Sequence, residues 1–191
     1  MIAAAVPLKA LPHAKGRLSK RLDESARTNL VVSMLHRTLR ALLHSGVVDT
    51  VALVTVERHL DLPAGIQRLP DSGGLNPSLV AAAAWATERG AAKLLILPAD
   101  LPQISAESVR HIIRSHNDDL GVALARTQDG GTGALLLAPP DAIPPAFGPG
   151  SFARHEDLAL ARGIPVRRIL DRAFTFDLDT SEDLAQWAGS L

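Results

Sequence analysis

The most basic stretch of this sequence lies near its start and has the composition of a loop that binds a polyphosphate. Between Lys9 and Arg21 there are five lysine and arginine residues and no acidic residue. Lysine contributes a compact positive charge, and arginine can bind two phosphate oxygens at once. The Gly-x-x-x-x-Gly-Lys pattern of a Walker loop is absent. The composition therefore predicts a phosphate-binding loop of another type, and a solvated basic loop is the alternative.

Three aspartates have the positions expected of metal ligands. Asp100 directly follows an apolar run and lies between the two prolines of Pro98–Pro102. A carboxylate at the end of a buried strand is costly without a partner, and magnesium is a natural one because hard cations prefer oxygen ligands. Asp177 and Asp179 are two residues apart, so in a strand they point to the same side. The alternatives are a helix-start or turn aspartate at position 100 and a helix cap at position 179.

A glycine-rich stretch, Asp71–Ser78, precedes an alanine-rich helical pattern. Gly73 and Gly74 would allow the backbone to approach a flat ligand closely. The amide of Asn76 could hydrogen-bond the edge of a base. The alternative is an ordinary turn in which Asn76 or Ser78 caps the helix.

Two further glycine-rich stretches, Asp129–Gly133 and Phe147–Phe152, each contain one hydroxyl residue, Thr132 and Ser151. Ser151 is predicted to open a helix, where free N–H groups bind anions well. The phosphate or carboxylate of a second substrate would fit there. A glycine turn followed by a serine cap is the alternative.

The composition excludes several other classes of protein. The 191 residues suffice for a single domain over 1–191, and 47% of them are hydrophobic, which argues against disorder. Zero net charge argues against nucleic-acid binding, and no apolar run is long enough to span a membrane. The apolar start has no basic stretch before it, which predicts a strand and a soluble cytoplasmic protein rather than a signal peptide. Without cysteine, thiolate zinc sites and cysteine nucleophiles are excluded.

The absence of other catalytic motifs fits phosphoryl transfer. Neither a Ser-His-Asp order nor a nucleophile elbow is present, and the first strand is not followed by Gly-x-Gly-x-x-Gly. An acceptor phosphate is already ionised and needs little deprotonation. The protein then has to supply positioning and charge neutralisation.

Short apolar runs alternate with helical patterns along the chain, which predicts a three-layer α/β fold with a mainly parallel, Rossmann-like sheet. In such sheets ligands bind at the carboxyl ends of the strands. The predicted strands are Ile2–Val6, Val51–Thr55, Ile66–Leu69, Lys93–Leu97, Gly121–Ala125, Ala134–Ala138, Val166–Leu170 and Phe174–Leu178. The predicted helices are Glu24–His44, Ser78–Glu88, a helix from the cap Ser105 to about Ser115, Phe152–Arg162 and a last helix that opens at Thr180.

In this order the loops resemble those of the 2-phospho-L-lactate guanylyltransferases, enzymes of coenzyme F-420 biosynthesis. Each motif is weak alone, but six occur in order from about Pro7 to Leu184, nearly the whole chain. They are Lys9 with Ala14-Lys15-x-Arg17-Leu18, Gly73-Gly74-Leu75-Asn76, Pro98-Ala99-Asp100-Leu101-Pro102, Gly130-Gly131-Thr132, Phe147-Gly148-Pro149-Gly150-Ser151-Phe152-x-x-His155, and Asp177-x-Asp179-Thr180-x-x-Asp183-Leu184.

The resemblance implies a GT-A-like nucleotidyltransferase fold and the transfer of GMP from GTP to a small phosphorylated acid, with release of pyrophosphate. It places GTP phosphates near Lys9, Lys15 and Arg17, and guanine near Gly73, Gly74 and Asn76. With Asp100, the three basic residues form the implied catalytic set. Magnesium would be held by Asp100 and Asp177, with Asp179 as a further candidate.

The implied acceptor site consists of Thr132, Gly148 and Ser151. The family usually has asparagine after Gly-Gly-Thr, whereas this chain has Gly133. Family members use 2-phospho-L-lactate, phosphoenolpyruvate or 3-phospho-D-glycerate, and the loss of the amide leaves the acceptor open. His155 also has two interpretations, a contact to the acceptor phosphate or a surface histidine.

Two other interpretations of the whole chain stay open. The first is another GT-A-like nucleotidyltransferase, of the molybdenum-cofactor or sugar-phosphate type, although such enzymes usually open with a Gly-x-Gly-x-Arg loop. The second is a non-catalytic nucleotide-binding module, which would tend to lose the carboxylates that this chain retains. A homodimer is compatible with either interpretation, because one chain does not define an oligomeric state.

Overall fold

The computed structural model describes residues 1–11, 16–19, 21–116, 120–176 and 178. In this part of the chain seven strands form one sheet, in the spatial order β3-β2-β1-β4-β6-β5-β7. β6 runs antiparallel to both of its neighbours, and the other strand pairs are parallel. The strands are β1 (Ile2–Pro7), β2 (Thr50–Val54), β3 (Ile66–Leu69), β4 (Lys93–Ile96), β5 (Gly121–Arg126), β6 (Thr132–Ala138) and β7 (Val166–Ile169).

Helices cover both faces of this sheet and give the predicted three layers. The helices are α1 (Glu24–Leu43), α2 (Leu75–Glu88), α3 (Ala106–Arg114), α4 (Ser151–Ala161) and α5 (Arg172–Thr175). Buried side chains of α1, α3 and α5 share one core with Ala4 and Val6 of β1, and those of α2 and α4 share the other with Ala3 and Ala5. The alternation along β1 is the period of two that a strand buried on both faces requires. Over the described ranges, no helix has both the length and the apolar composition needed to cross a bilayer.

Most predicted elements lie within a residue or two of their observed bounds, including all of the first seven predicted strands. Ser105 caps α3 as predicted, with its hydroxyl accepting from the Ser108 N–H at 3.2 Å. The predicted strand Phe174–Leu178 is wrong, because residues 172–175 form the helical turn α5. The Asp171 carboxylate accepts from the Ala173 N–H at 2.9 Å and so caps this turn, and Phe174 is completely buried. The predicted last helix from Thr180 lies outside the described residues.

The starts of α2 and α4 differ from the predictions in a way that matters for the site. α2 begins at Leu75 after the cap residue Gly74, which leaves Asn76 and Ser78 inside the helix rather than at its cap. α4 has Gly150 as its cap residue, with φ 67°, so Ser151 is the first helical residue. The capping alternatives for these three side chains are therefore wrong, and their polar groups are free for other contacts.

Candidate active site

One edge of the sheet gathers several of the loops that carry candidate residues. β1 and β4 are parallel, with Ala5 opposite Ile96, so the loops that follow both strands leave at the same edge. β6 runs the other way, with Leu135 opposite Ile96, so its first residue, Thr132, lies at that edge as well. The sheet therefore brings the basic loop, the Asp100 loop and the Gly-Gly-Thr turn to one side of the molecule.

The basic loop leaves the core at one buried leucine and returns to it at another. Leu8 and Leu18 are both buried, and Lys9 is exposed between them. The Leu8 N–H donates to the Val54 carbonyl at 2.9 Å, and the Leu11 N–H donates to the Glu57 carboxylate at 2.8 Å. Lys15 lies outside the described residues. Arg17 belongs to the 3-10 turn Gly16–Leu18, and its side chain is likewise outside the description. The phosphate contacts of the three basic residues stay a prediction.

Asp100 follows β4 in a tightly anchored turn. Its neighbours Ala99 and Leu101 are buried, and Asp100 itself is half-buried. Asp177 and Asp179 lie outside the described residues, but Phe176 and Leu178 are buried in the same core cluster as Ala99 and Leu101. Within the described part of the chain, no group of three or more carboxylates and histidines could hold a metal. The metal role of the three aspartates stays a prediction.

Asp71 organises the glycine-rich turn before α2, a role that was not among the predictions. One carboxylate oxygen, Oδ1, accepts from the N–H groups of Gly73 at 2.9 Å and Gly74 at 2.7 Å, and from the Ser78 hydroxyl at 2.9 Å. The Gly74 N–H, followed by the Ser78 hydroxyl, lowers the pKa of Asp71. Gly73 and Gly74 have φ of 92° and 119°, which only glycine adopts readily. An aspartate two residues before a glycine pair is a turn signal that could have indicated this role.

Asn76 holds the loop that precedes α4. Its Nδ2 donates to the Phe147 carbonyl at 3.0 Å, and its Oδ1 accepts from the Phe147 N–H at 2.7 Å. An asparagine amide has two donors and two acceptor lone pairs, so one of each is left after these bonds. The structure thus connects the predicted nucleotide loop to the predicted acceptor loop. The base contact of Asn76 stays a prediction.

Thr132, Ser151 and His155 form a buried polar cluster between β6 and α4. The Thr132 hydroxyl lies 2.9 Å from the Ser151 hydroxyl and 3.0 Å from His155 Nδ1. His155 Nε2 accepts from the Ala146 N–H at 2.9 Å. His155 is completely buried, so its interpretation as a surface histidine is wrong. The predicted acceptor residues Thr132 and Ser151 are thus in direct contact, with exposed Gly148 three residues before Ser151.

The imidazole of His155 is neutral around pH 7. Burial, with a smaller contribution from the neighbouring positive charge of Arg154, lowers its pKa to about 4. Its Nε2 accepts a backbone N–H, so its one hydrogen has to be on Nδ1. Nδ1 is then the donor in the bond to Thr132.

We expect this histidine to make the folded protein less stable in acid. The pKa is about 4 in the folded state and about 6.5 in the unfolded chain, so the unfolded state binds more protons between these values. Stability from the neutral imidazole is therefore present above pH 6.5 and is lost as the pH falls towards 4, by about 3 kcal/mol. Urea unfolding of the wild type and of His155→Gln from pH 7 to pH 4 measures this term. A wild-type curve as flat as that of the variant would contradict it.

A β-bulge at Gly133 directs the Thr132 side chain towards α4. Ala125 and Arg126 of β5 pair with Ala134 and Thr132 of β6, which leaves Gly133 without a partner residue. In a regular strand, Thr132 would face the same side of the sheet as Ala134, which is buried in the core shared with α1 and α3. The extra residue turns Thr132 to the other face, where it meets His155.

The space beside Gly133 is already occupied by backbone. A Cβ at this position would lie 1.8 Å from the Phe174 carbonyl oxygen. Phe174 belongs to the core on the face opposite α4. A side chain at position 133 would therefore point away from Thr132 and Ser151, and the missing amide does not change the immediate surroundings of these two hydroxyls.

The fold is that of nucleotidyltransferases. A putative nucleotide-diphospho-sugar transferase from Desulfovibrio desulfuricans superimposes with a TM-score of 0.78 at 17% identity, and the match covers 96% of this chain and 84% of that one. A CMP:2-keto-3-deoxy-manno-octonic acid synthetase in complex with CTP gives a TM-score of 0.61 at 14% identity, over 100% and 99% of the two chains. At these identities the likeness shows the fold alone. Together with the sequence relatives below, it defines the class of this protein as nucleotidyltransferase.

The sequence profile of the family described as "Guanylyl transferase CofC like" matches residues 2–188, and the chain belongs to this family. It is 42% identical over 191 residues to a phosphoenolpyruvate guanylyltransferase from Sphaerobacter thermophilus, covering 97% of this chain and 92% of that protein. It is also 36% identical over 186 residues to a 3-phospho-D-glycerate guanylyltransferase from Phenylobacterium zucineum, covering 92% and 84%. The family resemblance predicted from the motifs is confirmed.

Proposed function

We propose that this protein transfers GMP from GTP to phosphoenolpyruvate in coenzyme F-420 biosynthesis. A phosphate oxygen of the acid attacks the α-phosphorus of GTP, the bond to the β-phosphate breaks, and pyrophosphate leaves. The observation that carries the proposal is the hydroxyl pair of Thr132 and Ser151, which lies at the sheet edge where the loops after β1 and β4 also begin. Family membership supports the reaction, and relatives at up to 42% identity carry the name phosphoenolpyruvate guanylyltransferase.

The nucleotide would lie along two loops. Lys9, Lys15 and Arg17 neutralise charge on its phosphates, because they carry positive charge without an acid nearby in sequence. Gly73, Gly74 and Asn76 face the guanine. The support for this second loop is its rigidity, since three hydrogen bonds to one oxygen of Asp71 hold the glycine turn in place before a ligand arrives.

Magnesium would be held by Asp100, Asp177 and Asp179. Carboxylates are the donors that this ion prefers, and the half-buried Asp100 follows β4 at the edge that also collects the basic loop. The described residues adjoining Asp177 fit the same location, because Phe176 and Leu178 are buried in the core cluster of Ala99 and Leu101. When bound, the ion would offset negative charge on the phosphates during transfer.

The acid would be bound by Thr132, Gly148 and Ser151. Gly148 is exposed and has φ 130°, and none of the residues that the structure describes has an atom within 4 Å of where its side chain would begin, so a ligand can approach its backbone. The two hydroxyls supply hydrogen-bonding capacity for a phosphate or carboxylate. Because the absent amide at position 133 would point to the other face, its loss gives no reason to depart from the acceptor named for the relatives at 42% and 40% identity.

The experiment that tests the proposal is pyrophosphate release by the purified protein with magnesium. GTP, CTP, UTP and ATP are each combined with phosphoenolpyruvate, 3-phospho-D-glycerate and 2-phospho-L-lactate. We expect release with GTP and phosphoenolpyruvate. Release with GTP and only one of the other acids would overturn the assignment of the acceptor. If folded protein releases no pyrophosphate in any combination, the proposed reaction is wrong.

We expect Asp71→Ala to weaken GTP binding selectively. The glycine turn loses its three hydrogen bonds, and the resulting mobility should raise KM for GTP by roughly tenfold, the equivalent of about 1.4 kcal/mol. KM for the acid should change little. Asp71→Asn is the matched control because it keeps an acceptor oxygen, and it should retain most of the affinity. Equal KM values for GTP in Asp71→Ala and the wild type would exclude this role.

We expect Ser151→Ala to raise KM for the acid by roughly tenfold and to leave KM for GTP within about twofold, because one hydrogen-bonding group of the acceptor site is lost. Ser108→Ala is the control. Ser108 is also a buried serine in the first turn of a helix, but it lies in α3, and its hydroxyl contacts that of Ser105. An equal effect of Ser151→Ala on both substrates would show that Ser151 does not belong to the acid site.

A further inference from the structure

The loop before α4 is held by side chains at each backbone polar group of two consecutive residues. The Ala146 N–H donates to His155 Nε2, and the Ala146 carbonyl accepts from Arg154 Nη1 at 2.8 Å. Both backbone groups of Phe147 bond the amide of Asn76. A loop held in this way has little freedom to adapt, so the groups that His155 touches on its other side are also fixed in place.

The bond from Ala146 determines where the hydrogen of the His155 ring lies. A backbone N–H can only donate, so Nε2 has to present its lone pair. The hydrogen of the neutral ring is then on Nδ1, which donates to the Thr132 hydroxyl oxygen at 3.0 Å. The direction of this second bond is thus determined by the first.

The two hydroxyls next to the ring have two hydrogens and share one hydrogen bond. Among residues 1–11, 16–19, 21–116, 120–176 and 178, neither hydroxyl of the pair has a further side-chain hydrogen-bond partner. Thr132 accepts from His155, which makes its own hydroxyl a better donor to Ser151 because successive hydrogen bonds polarise one another. The hydroxyl hydrogen that is not used in the bond between the two residues is then that of Ser151.

We propose that His155 is a positioning residue of the acceptor site, which orients the Thr132 hydroxyl so that Ser151 keeps a hydrogen for the phosphorylated acid. Ser151 is buried, and the exposed turn of Gly148 and Gly150 lies immediately before it. Among the described residues, no atom lies within 4 Å of a Cβ placed at either glycine. An anionic oxygen of a ligand that settles on this turn is the acceptor that the Ser151 hydroxyl lacks. This inference rests on the proposed function, since the ligand is the acid substrate.

Two substitutions of His155 each keep one of the two hydrogen bonds of its ring and remove the other. His155→Asn places an amide N–H near the position of Nδ1 and can still donate to Thr132, whereas His155→Gln places its amide near Nε2 and can still accept from Ala146. We expect His155→Gln to raise KM for phosphoenolpyruvate roughly tenfold or more, and His155→Asn to raise it by less than about threefold. KM for GTP should stay within about twofold of the wild type in both. The opposite ranking, or equal effects on the two substrates, would overturn the proposal.

A double-mutant cycle tests whether His155 acts through Thr132. Thr132→Val removes the receiving hydroxyl at nearly constant volume, so adding His155→Gln to it should raise KM for the acid by less than about twofold further. If the increases in KM caused by the two single substitutions instead multiply in the double variant, His155 does not act through Thr132 and the proposal is overturned. Thermal melts of each variant verify that the compared proteins are folded.

A measurement on the resting protein separates failure of this inference from failure of the proposed function. In ¹⁵N-labelled wild type at pH 7, we expect the His155 signals, assigned by their absence in His155→Asn, to be those of the Nδ1–H tautomer. The Nε2–H tautomer would overturn the inference even in an active enzyme. Wild type that shows the expected tautomer but releases no pyrophosphate with any acid would overturn the proposed function and, with it, the role of the hydroxyls towards the acid.

Discussion

Replacement of Asp100 by asparagine should abolish turnover and leave the fold intact. The carboxylate follows β4 in a turn whose neighbours Ala99 and Leu101 are buried, so its position is set by the core and not by the ion. An amide keeps the size of the side chain but loses the charge, and magnesium binds neutral ligands less strongly than carboxylates. Several kcal/mol of charge stabilisation would be lost, which corresponds to a decrease in kcat of about a thousandfold or more. Pyrophosphate release as a function of magnesium concentration, with circular dichroism for the fold, measures both parts of this prediction.

Asp141→Asn is the matched control for Asp100→Asn. Asp141 is an exposed aspartate in the turn after β6, at the opposite edge of the sheet from the start of that strand, and its substitution should leave turnover unchanged. Asp177→Asn, outside the described residues, should behave like Asp100→Asn. If Asp100→Asn and Asp177→Asn both keep full magnesium-dependent activity, the assignment of the metal ligands is wrong.

Gly133→Ala should destabilise the protein by about 3 kcal/mol or more. The added Cβ would lie 1.8 Å from the carbonyl oxygen and 2.8 Å from the carbonyl carbon of Phe174. A flexible side chain could move aside, but these atoms belong to the backbone of α5, and the Phe174 side chain is completely buried. Relief of the clash therefore requires α5 or the bulge to shift, and a shift of the bulge would also disturb Thr132. Urea unfolding measures the loss of stability.

Gly16→Ala is the control for the stability measurement. Within the described part of the chain, a Cβ at Gly16 would have no atom within 4 Å, and the residue does not have a positive φ. An alanine there should therefore change the free energy of unfolding by less than about 0.5 kcal/mol. Equal free energies of unfolding for Gly133→Ala and Gly16→Ala would show that α5 can shift at Phe174 with little loss of stability, which would contradict the prediction. The same clash would apply to the Cβ of an asparagine at position 133.

The candidate site could be predicted from the sequence where a residue's role depends on its own loop. Asp100 illustrates this, because an apolar run followed by an aspartate between prolines indicates the carboxyl end of a buried strand. The glycine pair before α2 is a second example, since its conformation depends on Asp71 and Ser78 within the same short segment. The strand predicted at Phe174–Leu178 failed for a related reason, because a cap from Asp171 favours a helical turn over the apolar pattern.

The layers of the fold, the loops that carry the candidate residues and the family could all be read from the sequence, because apolar periodicity, turn residues and motif order are properties of neighbouring residues. Which side chains meet became known only from the folded chain. Asn76 bonds a backbone 71 positions away, and Thr132 meets His155 because a bulge at Gly133 turns it to the face of α4. Burial, strand register and the direction of a side chain all depend on partners distant in sequence, and no local pattern encodes them.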